Sequence, residues 1–196
     1  MKLMGLWDTS GIEVQDPGLK SYIALNNYLV PRSSGRFGKQ RFYKNKYNIV
    51  ERLMNRLMVP GHRGKKHFIS SGQCGGKSVT AFNIIERTFK LIEQKTKQNP
   101  VAVFVKAIEN AAPRDEITTI EYGGARYPQA VDCAPQRRID LAIRMMTQGA
   151  YIKSFGKKTK IQEALSDEII LASNIDQKST AISKKLELER QADASR

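Results

Sequence analysis

The chain has 196 residues, 40% of them hydrophobic and 27% charged, and 33 Lys or Arg against 19 Asp or Glu leave a net charge of +14. That length suits one domain with a real core plus extensions. No apolar run approaches bilayer length and the opening MKLMGLWDTSGIE has no secretory core, so membrane and exported classes are set aside. Cys74 and Cys133 are too few for a disulfide framework, which fits a reducing cytoplasm.

Residues 1–46 read as an extension of mixed polar sequence with Gly and Pro punctuation. Within it Tyr22, Ile23, Leu25 and Leu29 predict one short helix ended by Pro31. From Pro31 to Lys66 the chain carries eleven Lys or Arg and a single acid, Glu51. The cations are Arg32, Arg36, Lys39, Arg41, Lys44, Lys46, Arg52, Arg56, Arg63, Lys65 and Lys66, with Phe37, Phe42, Tyr43 and Tyr47 among them. Dense positive charge beside flat aromatic faces suits a polyphosphate partner with bases to stack on. Much of the arm over residues 1–46 is expected to be disordered alone, because its charge and Gly content do not offset ordering entropy.

From Asn48 the pattern changes. Ile49, Leu53 and Leu57 repeat every four residues, joined by Val50 and Met54, and predict a helix with Arg52 and Arg56 on another face. Residues 60–77 are a Gly-rich basic loop ending in Lys77. A second helix follows through Ala81, Ile84, Ile85, Thr88, Phe89 and Ile92. Asn99 and Pro100 open a third, with Val101, Phe104, Val105, Ile108 and Ala112 as its stripe and Pro113 as its stop.

Between Ile117 and Val131 the period falls to two, predicting a hairpin at about 116–131 around Gly123 and Gly124, a pair suited to a primed turn. Pro128 requires a free edge. The tip presents Arg126 beside Tyr122 and Tyr127. A fourth helix starts near Pro135, burying Ile139, Ala142, Ile143, Met146 and Ala150 and turning Arg137, Arg138 and Arg144 outward. Lys157, Lys158 and Lys160 precede a fifth helix, with Thr159 and Gln162 at capping-box spacing. Residues 179–192 make a sixth. The expected fold is mainly α: a single bundle of about six helices over residues 47–196, with a protruding two-stranded hairpin and a basic N-terminal arm over residues 1–46.

Catalytic patterns fall short. Ser71 to Ser78 reads SGQCGGKS, but the phosphate loop wants Gly where Ser71 stands, and no suitable strand precedes it. His62, His67, Cys74 and Cys133 lack the paired spacing of a zinc site. The acids are scattered and mostly sit at helix faces among cations, where they read as surface pairs. No cofactor, metal, membrane or homo-oligomer is expected. Three readings compete: a structural RNA-binding component, a nucleic-acid chaperone relying on charge, and a nucleotide hydrolase using the 71–78 loop.

The order of parts resembles the universal small-subunit ribosomal protein seven family, in its archaeal and eukaryotic branch. The stretches that carry it are NIVERLMNRLM (48–58), PVAVFVKAIENAAP (100–113), EYGGARYPQAVD (121–132), RRIDLAIR (137–144), GKKTKIQEALSDEIILAS (156–173) and STAISKKLELERQADASR (179–196). The loop from Gly61 to Lys77 is longer than in bacterial members, and Pro128 stands earlier in the hairpin. The resemblance implies a cytoplasmic ribosomal protein without catalysis. It would bind small-subunit 16S-type ribosomal RNA directly and start assembly of the subunit head, beside neighbouring ribosomal proteins. It also implies that the hairpin tip, Gly123, Gly124, Arg126 and Tyr127, points toward exit-site tRNA and mRNA.

Overall fold

Local signals fix most helix boundaries in the computed structural model, which describes residues 2–59 and 76–196. The Asn48 side chain accepts from Val50 N–H at 2.8 Å and opens α2 (Ile49–Leu57). Helix α3 runs Ser78–Thr96. Asn99 caps α4 (Pro100–Ala111) by accepting from Val101 N–H at 3.0 Å, with Pro100 in the first turn, where its missing N–H removes nothing. After the hairpin come α5 (Pro135–Ser154), α6 (Ile161–Ser173) and α7 (Thr180–Asp193). These are the six helices expected from the sequence, and a four-residue α1 (Pro17–Lys20) adds a seventh among the described residues.

Helix α6 is the centre of the bundle, with α3, α4 and α5 packed around it. Phe89, Phe104, Ile108, Ile139, Met146 and Leu165 are fully buried there. The acid Glu168 is also fully buried. It accepts from Ser179 Oγ at 2.8 Å, Ala181 N–H at 3.2 Å and Lys153 Nζ at 2.5 Å, so the start of α7 is tied to α5 and α6. A buried carboxylate needs such a shell of donors. Glu168 and Glu51 are thus buried exceptions among acids that mostly lie at the surface.

The hairpin pairs β1 (Asp115–Tyr122) with β2 (Ala125–Asp132), antiparallel, from Asp115 opposite Asp132 to Tyr122 opposite Ala125. Gly123 and Gly124 have φ of 58° and 80°, the left-handed pair a two-residue primed turn demands. Pro128 lies opposite Thr119 on a ribbon with free outer edges, as expected. Only its base is docked: Arg114 N–H donates to Glu189 Oε1 at 3.0 Å, and Arg196 pairs with Asp115 at 2.5 Å.

Three expectations differ from the structure. Residues 22–29 form no helix, because Ala24 bridges Asn48 in parallel and Ile49 N–H donates to Ala24 O at 3.0 Å. The helix stands earlier, where Asp16 caps Gly18 N–H at 2.8 Å and Pro17 starts the turn. The first part of the extension also packs into the common core: Leu3, Met4, Trp7, Leu19 and Ile23 are buried in it. Trp7 meets Phe89 edge-on at 5.6 Å and its Nε1 donates to Glu93 at 2.9 Å. Finally, α6 begins one residue later than Thr159 and Gln162 suggested: Lys160 N–H donates to Glu163 Oε2 at 3.3 Å.

Candidate nucleic-acid interface

Over its described residues the basic stretch is tethered near its start and carries several exposed cations. Its anchor is the lone acid: Glu51 is buried, and its Oε1 accepts from Ser33 N–H at 2.8 Å and Ser33 Oγ at 2.6 Å. Beyond that tether Arg32, Arg36, Lys39, Arg41 and Lys46 are exposed. None of these five makes an ion pair among the described residues. The aromatic rings partly satisfy one another: Tyr43 meets Tyr47 at 5.6 Å and Phe37 meets Tyr47 at 6.0 Å. Phe42, in a left-handed conformation, remains open to solvent with Arg41 5.1 Å above its ring.

Between the 3-10 turn Tyr43–Lys46, α2 and α5 lies a cleft of about 300 Å³. Asp140 stands in it, salt-bridged to Lys44 at 2.7 Å and to Arg52 at 2.9 Å. Burial works against its ionised form. The hydrogen bonds from Lys44 and Arg52 outweigh that and hold its pKa below the usual carboxylate value. Arg56 and Arg144 line the same cleft and make no ion pair among the described residues. Burial lowers the pKa of Arg56, and Arg144 adds to that.

Two cations depart from the outward placement that helical spacing predicts. Arg52 is only 5% exposed, gripping Asp140 and donating to Tyr22 O at 3.2 Å. Arg138, with its side chain 12% exposed, bonds Asp16 at 2.9 Å and Pro113 O at 3.1 Å and so fastens α1 and the end of α4 to α5. Both turn inward because a carboxylate from a distant segment waits there, which spacing along one helix does not reveal. Asp140 therefore pairs across the fold and not with Arg137 or Arg144. Arg137 is exposed but engaged, 2.6 Å from Glu116. Cys133 beside it is buried, its thiol pushed up to about 11 by burial and by Glu116.

Lys157, Lys158 and Lys160 stand exposed in the turn between α5 and α6, and Lys77 at the start of α3. These four also lack an ion-pair partner among the described residues. At the hairpin tip Arg126 lies 3.7 Å from Glu121, while Tyr122 and Tyr127 are open to solvent. Arg63, Lys65 and Lys66 lie outside the described residues, as do Ser71, His62, His67 and Cys74, on which the phosphate-loop and zinc readings turned. Among the described residues no three His, Cys, Asp or Glu groups could hold a metal ion, and no helix is long and apolar enough to cross a membrane.

Sequence reasoning missed the cleft itself. Its signal was Asp140, the one acid of α5, which stands among that helix's arginines. That acid sits where Lys44 and Arg52, from two other segments, are held.

The sequence is similar to those of known proteins. The chain is 58% identical over 196 residues to the small ribosomal subunit protein uS7 of Nanoarchaeum equitans (strain Kin4-M), covering 100% of this chain and 99% of that protein. Residues 19–196 match the family described as ribosomal protein S7p/S5e. The chain belongs to the ribosomal protein S7p/S5e family.

Proposed function

We propose that this chain is a structural component of the small ribosomal subunit that binds the subunit's ribosomal RNA directly and acts early in assembly of the head. The observation that carries this reading is the set of exposed cations with no acidic partner among the described residues: Arg32, Arg36, Lys39, Arg41 and Lys46 on the arm, Lys77, Arg144, and Lys157, Lys158 and Lys160 beyond it. Cations left without carboxylates suit phosphates, whose condensed counterions they displace. Arg56 joins them from the cleft, and Arg137 by exchanging Glu116 for a phosphate. Arg63, Lys65 and Lys66 are assigned the same role from sequence alone. Arg52, Arg138 and Lys44 act at one remove, holding the segments that carry the others.

The hairpin is the second contact. Its exposed tip, Gly123, Gly124, Arg126 and Tyr127, projects from the bundle and is assigned to the neighbourhood of exit-site tRNA and mRNA. No catalytic role is assigned, and the location is the cytoplasmic ribosome, among neighbouring small-subunit proteins. A chaperone relying on charge alone would not need the fixed tethers at Glu51 and Asp140.

The test is retention. The protein should co-sediment with small subunits through a high-salt wash and bind small-subunit ribosomal RNA without other proteins. Release at moderate salt, or binding only after other proteins are added, would contradict the direct and early role.

A further inference from the structure

We infer that the cleft between the 3-10 turn Tyr43–Lys46, α2 and α5 receives a single unpaired nucleotide, its phosphate against Arg56 and Arg144 and its base against Tyr43 and Tyr47. This rests on the RNA-binding reading above and names what one part of that surface selects. Four observations converge. The cleft holds about 300 Å³, the lower end of the range that small ligands occupy. That admits one nucleotide and not a helix. Arg56 and Arg144 both line it with no carboxylate partner among the described residues, although Arg56 is half-buried and the two repel each other. An anion between them would relieve that repulsion.

Asp140, the acid within reach, is already held by Lys44 and Arg52. Arg52 also lines the cleft, and its Nε is buried without a hydrogen-bond partner. Such an orphan donor is uncommon in a folded protein. Other groups lining the cleft explain why a nucleotide fits better than a bare phosphate. Tyr43 and Tyr47 present rings set at 67° to each other, and Asn55 offers an amide with both donor and acceptor. Those groups recognise the flat face and polar edge of a base. Unpaired bases in loops and bulges are the parts of RNA that leave the stack to reach such walls.

The test uses the full chain, labelled for NMR and titrated separately with a nucleoside 5′-monophosphate, inorganic phosphate and the nucleoside. The monophosphate is expected to shift the Nε–H signals of Arg52, Arg56 and Arg144 and the ring signals of Tyr43 and Tyr47 together, saturating near about 1 mM. Phosphate should move the arginine signals only, and more weakly. Arg56→Gln with Arg144→Gln should abolish both responses, whereas Lys106→Ala with Lys178→Ala, exposed positions given no part in binding, should leave them intact. If the double cleft variant melts below the parent, Arg144→Gln alone, at an exposed position, carries the same expectation. Equal binding of phosphate and monophosphate with unmoved tyrosines would overturn the nucleotide assignment, leaving only an anion site. Absence of any saturating shift while the parent still binds small-subunit RNA would overturn the cleft as a site without touching the wider reading.

Discussion

At Gly149, in the middle of α5, an added Cβ would lie 2.7 Å from Thr180 Oγ1, 2.8 Å from Thr180 Cβ and 3.2 Å from Glu168 Cδ. Glycine to alanine within a helix ordinarily gains up to about 1 kcal/mol. Here the close approach of α7 reverses the sign. Gly149→Ala is expected to cost about 1–3 kcal/mol by overpacking, read as a lower urea midpoint. The adjacent arginines of the same helix separate in a similar way. Arg138→Ala leaves Asp16 and the Pro113 carbonyl without their donor and should cost about 1–3 kcal/mol. Arg137→Ala removes one exposed pair and should change stability by less than about 1 kcal/mol. Equal effects in thermal denaturation would contradict the difference in burial. Asp16 and Asp140 add a pH dependence. Burial opposes ionisation of both, but their cationic partners win and both pKa values are lowered. Their contribution is therefore fully present above the unfolded carboxylate value of about 3.9 and is lost as pH falls through the folded values. Asp140→Asn should lower stability at neutral pH and flatten that acid dependence. An unchanged profile would mean that Lys44 and Arg52 do not stabilise the ionised carboxylate.

Among the elements, those with periodic apolar stripes were legible in the sequence. Ile49, Leu53 and Leu57, then Ala81, Ile85 and Phe89, placed α2 and α3, and Asn99 with Pro100 placed α4. Gly123 and Gly124 placed the turn, because a two-residue primed turn has few alternatives. The N-terminal segment was not legible, since Leu3, Trp7, Leu19 and Ile23 reach the core singly, from turns, the four-residue α1 and an isolated bridge, without a repeat. The cleft was hidden for a related reason: Lys44, Arg52 and Asp140 come from three separate segments. The hairpin yields an element-scale prediction. Its tip and strands are mostly exposed and only its base contacts the bundle, so Gly123→Val with Gly124→Val should distort the ribbon while the helical circular dichroism signal persists. β-Branched residues resist the positive φ both positions adopt. Loss of the helical signal would mean the ribbon is needed for the bundle to fold.

On the scale of the whole molecule, the chain carries a charge of +14, and exposed cations of its described residues lie on an arm, a turn and a helix face of one bundle. Removing residues 1–46 does not isolate the arm's electrostatic role, because Leu3, Trp7 and Leu19 would leave the core with it. Neutralising Arg32, Arg36, Lys39, Arg41 and Lys46 to Gln removes only exposed charge and leaves the Ser33–Glu51 tether in place. The most direct measurement is the affinity of parent and neutralised chain for small-subunit ribosomal RNA across a salt series. Each phosphate contact contributes roughly 0.7–0.9 to the slope of log affinity against log salt. The neutralised chain should bind more weakly, with a slope shallower by several such increments. If it kept the parent's full slope while remaining folded, the arm would not be the electrostatic contact on which this account depends.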